Sequence, residues 1–288
     1  MLQELKSGRM ENEFYNIHAE DKDPVLCIKE NRILVEINET GEVEFPTAAM
    51  VNGWSKGSSW NAWREEKLQY AFRMQGKNFF LWMGEPGETG KDAFHYEELT
   101  AIRRLEMKEA CFAAYTAFHL YNWYRNNRYC GRCQTPTVHD TKQRMLRCPD
   151  CGNLIFPRIS PAVIIAVTNG EKLLLSKYAG RSYTQYALLA GYTEIGETME
   201  ETVHREVMEE VGLKVKNIRY YKSQPWGKSG TVLMGFFCDL DGSDEIHLDE
   251  EELSQAGWYD RQKFPIRDDG ISLTREMMRV FEEGKEPK

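Results

Sequence analysis

Three glutamates, Glu206, Glu209 and Glu210, stand at i, i+3 and i+4 within the segment GYTEIGETMEETVHREVMEEVGL, which runs from Gly191 to Leu213. On a helix this spacing puts them on one face, where their mutual repulsion is costly unless cations sit between them. Carboxylate oxygens suit hard divalent ions such as Mg²⁺ or Mn²⁺, which keep several waters and also bind substrate phosphates. Such ions neutralise phosphate charge and lower the pKa of a water, so the chemistry open to this set is hydrolysis of a diphosphate. One of these carboxylates, or a nearby Glu, would take the proton of the attacking water. Glu197 and Arg205 complete the catalytic set. The guanidinium can reach Glu201 one turn earlier or Glu197 in the preceding loop, holding the carboxylates in place. The competing reading is an acidic solvated helix face, which leaves the Gly191 turn, Glu197 and Arg205 unexplained.

A second set is built from sulfur. Cys130 and Cys133 form one pair, Cys148 and Cys151 another, with fourteen residues between the pairs. Two short knuckles of this spacing turn four thiolates toward one point and close the tetrahedral shell of one Zn²⁺ per chain, leaving no place for water. The site is therefore structural. The remaining cysteines, Cys27, Cys111 and Cys238, lack a partner at ligand spacing and lie in apolar surroundings, which reads as burial.

Local elements must hold these groups. Thr198 and Glu201 carry a capping-box signature, Val203, Val207 and Val211 repeat at i, i+4, and Gly212 stands where a helix would end. Before this helix come two strand-like runs, AVIIAV and KLLLSKY, separated by the turn Asn169-Gly170. After it come VLMGFFCDL and a final helix from about Ser272 to Glu282. Strands and helices in this order predict an α/β or α+β domain with a mixed sheet. Residues 1 to about 98 read as β-rich, with RILVEI and FFLWM between turn clusters such as NGWSKGSS and GEPGETGK. Helical spacing of Leu99, Ile102, Leu105, Met107, Cys111 and Phe118 predicts one or two helices between about Glu97 and Asn126.

Composition narrows the function classes. The 288 residues carry a net charge of -8, which disfavours sequence-blind binding to a polyanion. Locally the sign reverses. From Arg125 to Arg158 seven basic residues (Arg125, Arg128, Arg132, Lys142, Arg144, Arg147, Arg158) face two acidic ones, Asp140 and Asp150. The cluster either offsets the charge of a zinc-thiolate centre or contacts a phosphate chain. No apolar run approaches a membrane span, and the first residues lack a secretory signal, so the expected location is cytoplasmic, with no membrane partner.

From Gly191 the sequence fits the Nudix box without a gap: Gly191, five residues, Glu197, seven residues, Arg205-Glu206, apolar Val207, one residue, Glu209-Glu210, one residue, Gly212 and apolar Leu213. With the zinc ribbon, the junction FPRISPAVIIAV and Ser223-Gln224-Pro225-Trp226, the chain resembles the bacterial NADH pyrophosphatase family from about Tyr129 to Trp258. The resemblance implies a Nudix α/β/α sandwich with a mixed sheet over 157–288, a zinc ribbon over 128–156 and a β-rich domain with linking helices over 1–127. It implies hydrolysis of the diphosphate of NADH or NAD⁺ to nicotinamide mononucleotide and AMP, removal of NAD caps from RNA, and a homodimer.

By the same resemblance Glu206, Glu209 and Glu210 are ligands of Mg²⁺ or Mn²⁺, joined by Glu252 ahead of Trp258-Tyr259, with Glu251 as the alternative. Tyr192 matches an aromatic that stacks on nicotinamide. Phe156, Gln224 and Thr274 fall at further substrate contacts. Where the family reads SQPWPFPxS, this chain keeps SQPW and then has Gly227-Lys228-Ser229-Gly230-Thr231. Losing two prolines should loosen a loop there and could change the preferred nucleotide. Two other readings stay open: a Nudix hydrolase of another compound such as ADP-ribose or a diadenosine polyphosphate, and a non-catalytic nucleotide sensor.

Overall fold

The structure is a computed structural model that describes residues 1–6, 8–54, 67–84, 93–104, 107–180, 184–263 and 269–288. Most of the two turn clusters, and Leu105, lie outside the described residues. The chain divides into two compact units. One comprises Leu2–Arg158 with Gly227–Ser229, the other Met1, Ile159–Trp226 and Gly230–Lys288.

The first unit holds β1 (Val25–Leu26), β2 (Ile28–Lys29), β3 (Arg32–Ile37), β4 (Val43–Glu44), α1 (Ala48–Trp54), β5 (Leu68–Met74), β6 (Lys77–Trp82), β7 (His95–Glu98), α2 (Leu99–Arg104) and α3 (Lys108–Asn126). β1, β6 and β5 form one sheet, and β2, β3, β4 and β7 another. The predicted RILVEI strand is β3, and the helical stripe resolves into α2 and α3. Val25, Leu34, Tyr70, Phe80 and Trp82 form a common core. The ribbon follows as an antiparallel sheet of β8 (Val138–His139), β9 (Leu146–Arg147) and β10 (Leu154–Ile155), with β9 central.

The second unit is a six-stranded mixed sheet between two helices. Its elements are β11 (Ser160–Asn169), β12 (Lys172–Tyr178), β13 (Leu189–Tyr192), α4 (Met199–Val211), β14 (Val215–Trp226), β15 (Thr231–Leu240), β16 (Leu253–Asp260) and α5 (Leu273–Glu282). β11 lies parallel to β15 from Ser160 to Thr168 and antiparallel to β13 and β12. Side chains of a strand alternate between faces. Val163, Ile165 and Val167 accordingly join Val203, Val207 and Val211 of α4 in one core, and Ile164 and Ala166 join Leu273, Met277 and Phe281 of α5 in another. The two apolar cores thus fix α4 and α5 on opposite faces of the sheet, which is the expected α/β/α sandwich.

The SQPW residues 223–226 complete β14, paired from Ser223↔Met234 to Trp226↔Thr231. β15 offers each of them a partner, which no local signal announces. Residues 227–230 alone make the turn, closing on Gly230 at φ 68°.

Candidate active site

The helix that carries the glutamates is specified at both ends. Thr198 is its N-cap, accepting from the backbone N–H of Glu201, while the Glu201 carboxylate accepts from the Thr198 N–H at 2.7 Å. Such a box contributes about 1 kcal/mol. Gly212 ends the helix in the left-handed region at φ 67°. The buried valine stripe then sets the rotation of α4, turning Glu206 and Glu210 toward β13 and leaving Glu209 exposed.

β13 explains the first residue of the box. A Cβ at position 191 would stand 1.9–2.2 Å from the carboxylate of Glu206, so only glycine admits that side chain against the strand backbone. Glu210 is fully buried and accepts from the Ala190 N–H at 3.4 Å. Burial, the largest influence, pushes the pKa of Glu206 up; the Arg205 guanidinium opposes the shift, and the charges of Glu209 and Glu252 add to it. Glu252 is thus one downstream glutamate within electrostatic reach of Glu206. Its position is set by a turn: the Asp249 carbonyl accepts from the Glu252 N–H at 3.3 Å, and the Asp249 N–H donates to the Glu210 carbonyl at 3.0 Å.

Arg205 ties the set together. Of its two predicted partners the structure chooses Glu197, because Glu201 is engaged in the cap. Arg205 Nε donates to Glu197 Oε1 at 2.6 Å, and Nη2 donates to Glu197 Oε2 at 3.0 Å and to the Tyr192 carbonyl at 2.9 Å. Nη1 bridges Glu206 Oε1 at 2.7 Å and Glu209 Oε2 at 2.8 Å. Glu197 Oε2 also accepts from the Glu194 N–H and the Thr202 hydroxyl, each at 3.0 Å. These donors, Arg205 first, hold the Glu197 carboxyl down to about 2. The donors are all oxygens, the chemistry a hard divalent cation takes, but here Arg205 spaces Glu206 from Glu209, and among the described residues only the ribbon cysteines converge on one point. Sequence reading missed Thr202 and Asp249, since the box leaves position 202 unspecified and position 249 lies far outside it.

Within the second unit the expected substrate contacts Tyr192, Gln224 and Thr274 lie on three different elements, β13, β14 and α5. Tyr192 is exposed at the end of β13, its hydroxyl 3.4 Å from Thr231 Oγ1. Gln224 is fully buried, with Nε2 donating to the Ile271 carbonyl at 2.7 Å and Oε1 accepting from the Leu273 N–H at 2.8 Å. In this arrangement both ends of the amide hold the start of α5. Thr274 is half-buried on α5, across the sheet from the glutamates of α4. Phe156 is exposed in the other unit, just after β10.

In that unit the four ribbon sulfurs lie within 4.8 Å of one another, with Cys130–Cys151 at 3.6 Å and Cys133–Cys148 at 3.4 Å. Tetrahedral zinc with bonds of about 2.3 Å puts its sulfurs roughly 3.8 Å apart, close to these values. The knuckles are equivalent: the Cys130 N–H donates to the Thr135 carbonyl and the Cys148 N–H to the Asn153 carbonyl, each at 2.9 Å, and the N–H groups of Arg132 and Cys151 donate to Cys130 and Cys148 Sγ, each at 3.4 Å. Backbone donation, from Arg132 above all, holds the Cys130 thiol down to about 6. At Cys151 the Asn153 N–H acts in the same direction, but burial and the three neighbouring sulfurs outweigh it and push the thiol up to about 12. Four thiolates cannot share this space without a cation.

The basic cluster is not uniform. Arg144 is half-buried, donating to the Ala71 carbonyl at 2.5 Å and to the Asn12 carbonyl at 3.4 Å. It braces the ribbon against the β-rich region instead of facing a phosphate chain. Arg125, Arg132, Lys142, Arg147 and Arg158 are exposed.

The NUDIX domain family matches residues 158–281, and the family described as NADH pyrophosphatase zinc ribbon domain matches residues 125–156. The chain is 37% identical over 208 residues to an NAD-capped RNA hydrolase NudC of Chromobacterium violaceum, covering 71% of this chain and 77% of that protein. It is 34% identical over 189 residues to the NAD-capped RNA hydrolase NudC of Pectobacterium atrosepticum, covering 64% and 71%. To that of Pasteurella multocida it is 34% identical over 201 residues, covering 66% and 74%.

Proposed function

This chain belongs to the NADH pyrophosphatase family of zinc-ribbon Nudix hydrolases, and from that membership we infer that it hydrolyses the diphosphate of NADH or NAD⁺ to nicotinamide mononucleotide and AMP. Removal of an NAD cap from RNA is the same reaction with a longer leaving chain. The observation that carries this reading is the intact clamp of Glu197, Arg205, Glu206 and Glu209 over Gly191, in a chain that also has the family's ribbon.

In the proposed mechanism Glu206, Glu209, Glu210 and Glu252 would hold the divalent cation, Mg²⁺ or Mn²⁺, which would supply charge neutralisation at the diphosphate and a water of lowered pKa. Arg205 and Glu197 act on these carboxylates, not on the substrate, by fixing their spacing. The half-exposed ring of Tyr192 is free to stack on nicotinamide beside them. Zn²⁺ on Cys130, Cys133, Cys148 and Cys151 organises the ribbon and takes no part in the reaction. A homodimer, a cytoplasmic location and the three-part division at residues 127 and 156 belong to the same reading, supported by the family's organisation. Among the described residues no helix is long and apolar enough to cross a membrane.

The test is product mass analysis with NADH, NAD⁺, ADP-ribose and a diadenosine substrate in Mg²⁺ or Mn²⁺. Cleavage of NADH to two mononucleotides is expected. Tight binding of one of these compounds without hydrolysis would return the chain to the sensor class. Glu209→Gln keeps shape but removes charge, and we expect turnover to fall by roughly 100-fold or more. Unchanged turnover would remove Glu209 from the metal site. For RNA, the charge reversals belong at exposed Arg132, Lys142 and Arg147. Cap removal should weaken while free NADH is hydrolysed as before.

A further inference from the structure

We propose that Thr202 is a positioning residue for the metal-binding carboxylates: its hydroxyl fixes Glu197, and through Glu197 the guanidinium that spaces Glu206 from Glu209. The inference rests on the metal-site reading above.

Thr202 is fully buried in the first half of α4, four residues before Glu206. Threonine is a poor choice for the interior of a helix, because its branched Cβ restricts χ1 and its hydroxyl competes for backbone groups. Packing alone would be served by alanine or valine. The hydroxyl has one proton and two acceptors, the Thr198 carbonyl and Glu197 Oε2, each at 3.0 Å. The carbonyl already accepts its helical partner, the Thr202 N–H, at 3.0 Å. The carboxylate is charged and makes the stronger bond. The proton therefore goes to Glu197.

That bond matters because the terminal torsion of glutamate is broad. Arg205 contacts both oxygens of Glu197, but Arg205 is itself the group to be placed. The fixed points are the Glu194 N–H and the Thr202 hydroxyl, both on Oε2. With the carboxylate pinned there, Nε and Nη2 of Arg205 have defined acceptors, and Nη1 falls between Glu206 and Glu209. Without the hydroxyl, one fixed point remains and the carboxylate can turn about it.

The experiment compares Thr202→Val, which keeps shape without the hydroxyl, Thr202→Ala, and Thr202→Ser, which keeps the hydroxyl. Mn²⁺ binding to the full chain is measured by calorimetry without substrate, beside melting temperature, zinc content and NADH turnover. Thr202→Val and Thr202→Ala should bind Mn²⁺ about tenfold more weakly, and Thr202→Ser within about twofold of the natural chain, all with zinc retained. The proposal is overturned if Thr202→Val or Thr202→Ala folds and binds Mn²⁺ like the natural chain, or if Thr202→Ser is as impaired as Thr202→Val. Loss of fold in both Thr202→Val and Thr202→Ala also overturns it, in favour of a purely structural residue. A natural chain that binds Mn²⁺ but leaves NADH intact would defeat the functional reading alone.

Discussion

In the ribbon, four sulfurs lie within 4.8 Å of one another on two backbone knuckles, whereas on α4 the guanidinium of Arg205 stands between Glu206 and Glu209. Both regions gather groups that repel when charged. The ribbon relieves repulsion only by enclosing a cation, so its ion is part of the fold. On α4 a side chain supplies positive charge at all times, and the fold there rests on the valine stripe and caps. A divalent ion held at α4, as proposed, would therefore be able to exchange with substrate and product. A permanent site converges its donors through backbone; an exchangeable one spaces them through side chains.

The largest effect should come from breaking the ribbon. Cys148→Ser removes one of four thiolates, and structural zinc contributes on the order of 10 kcal/mol of apparent binding free energy to such domains. We expect loss of zinc by elemental analysis and melting of β8 to β10, with Mn²⁺ affinity at α4 retained. Retention of zinc with a normal melting profile would mean that the ribbon's fold does not depend on its ion.

A smaller effect should follow from Gly191→Ala. The added methyl would meet the Glu206 carboxylate at 1.9–2.2 Å, so the glutamate must move. Displacing a reacting constellation by an ångström costs about 100-fold in rate. We expect kcat/KM to fall by about that factor while zinc content is unchanged, because the ribbon shares no donor with α4. Activity near that of the natural chain would show that Glu206 need not sit against β13.

How far each region was legible follows from the range of its interactions. The cap at Thr198, the valines and Gly212 act within one helix, and the sequence displays all of them. The cysteine spacing is equally local, since each knuckle closes within six residues, from Cys130 to Thr135 and from Cys148 to Asn153. Residues 223–226 owe their strand identity to pairing with β15 across a turn, which no local signal displays. The partners of Arg144 and Gln224 are not legible in the sequence, because backbone carbonyls distant along the chain accept from them. The reason for Gly191 lies fifteen residues away, in the carboxylate of Glu206.

The smallest effect is in acid, and it separates the two regions by pH. Glu197 is held down to about 2 from an ordinary 4.5, first by Arg205. A depressed folded-state pKa stabilises the fold fully above 4.5, and that contribution is lost as pH falls from 4.5 toward 2. Zinc leaves the ribbon when its own thiolates take up protons, a set that shares no group with the clamp. The pH of zinc release should therefore be independent of the protonation of Glu197. Zinc release can be followed with a chromogenic chelator and Glu197 by the ¹³C shift of its carboxyl. In Arg205→Gln the Glu197 midpoint should rise toward 4.5 while the pH of zinc release stays where it was. A Glu197 midpoint indifferent to Arg205 would mean that the side-chain clamp does not govern the charge on α4, and the contrast with the backbone-built ribbon would fail at its central point.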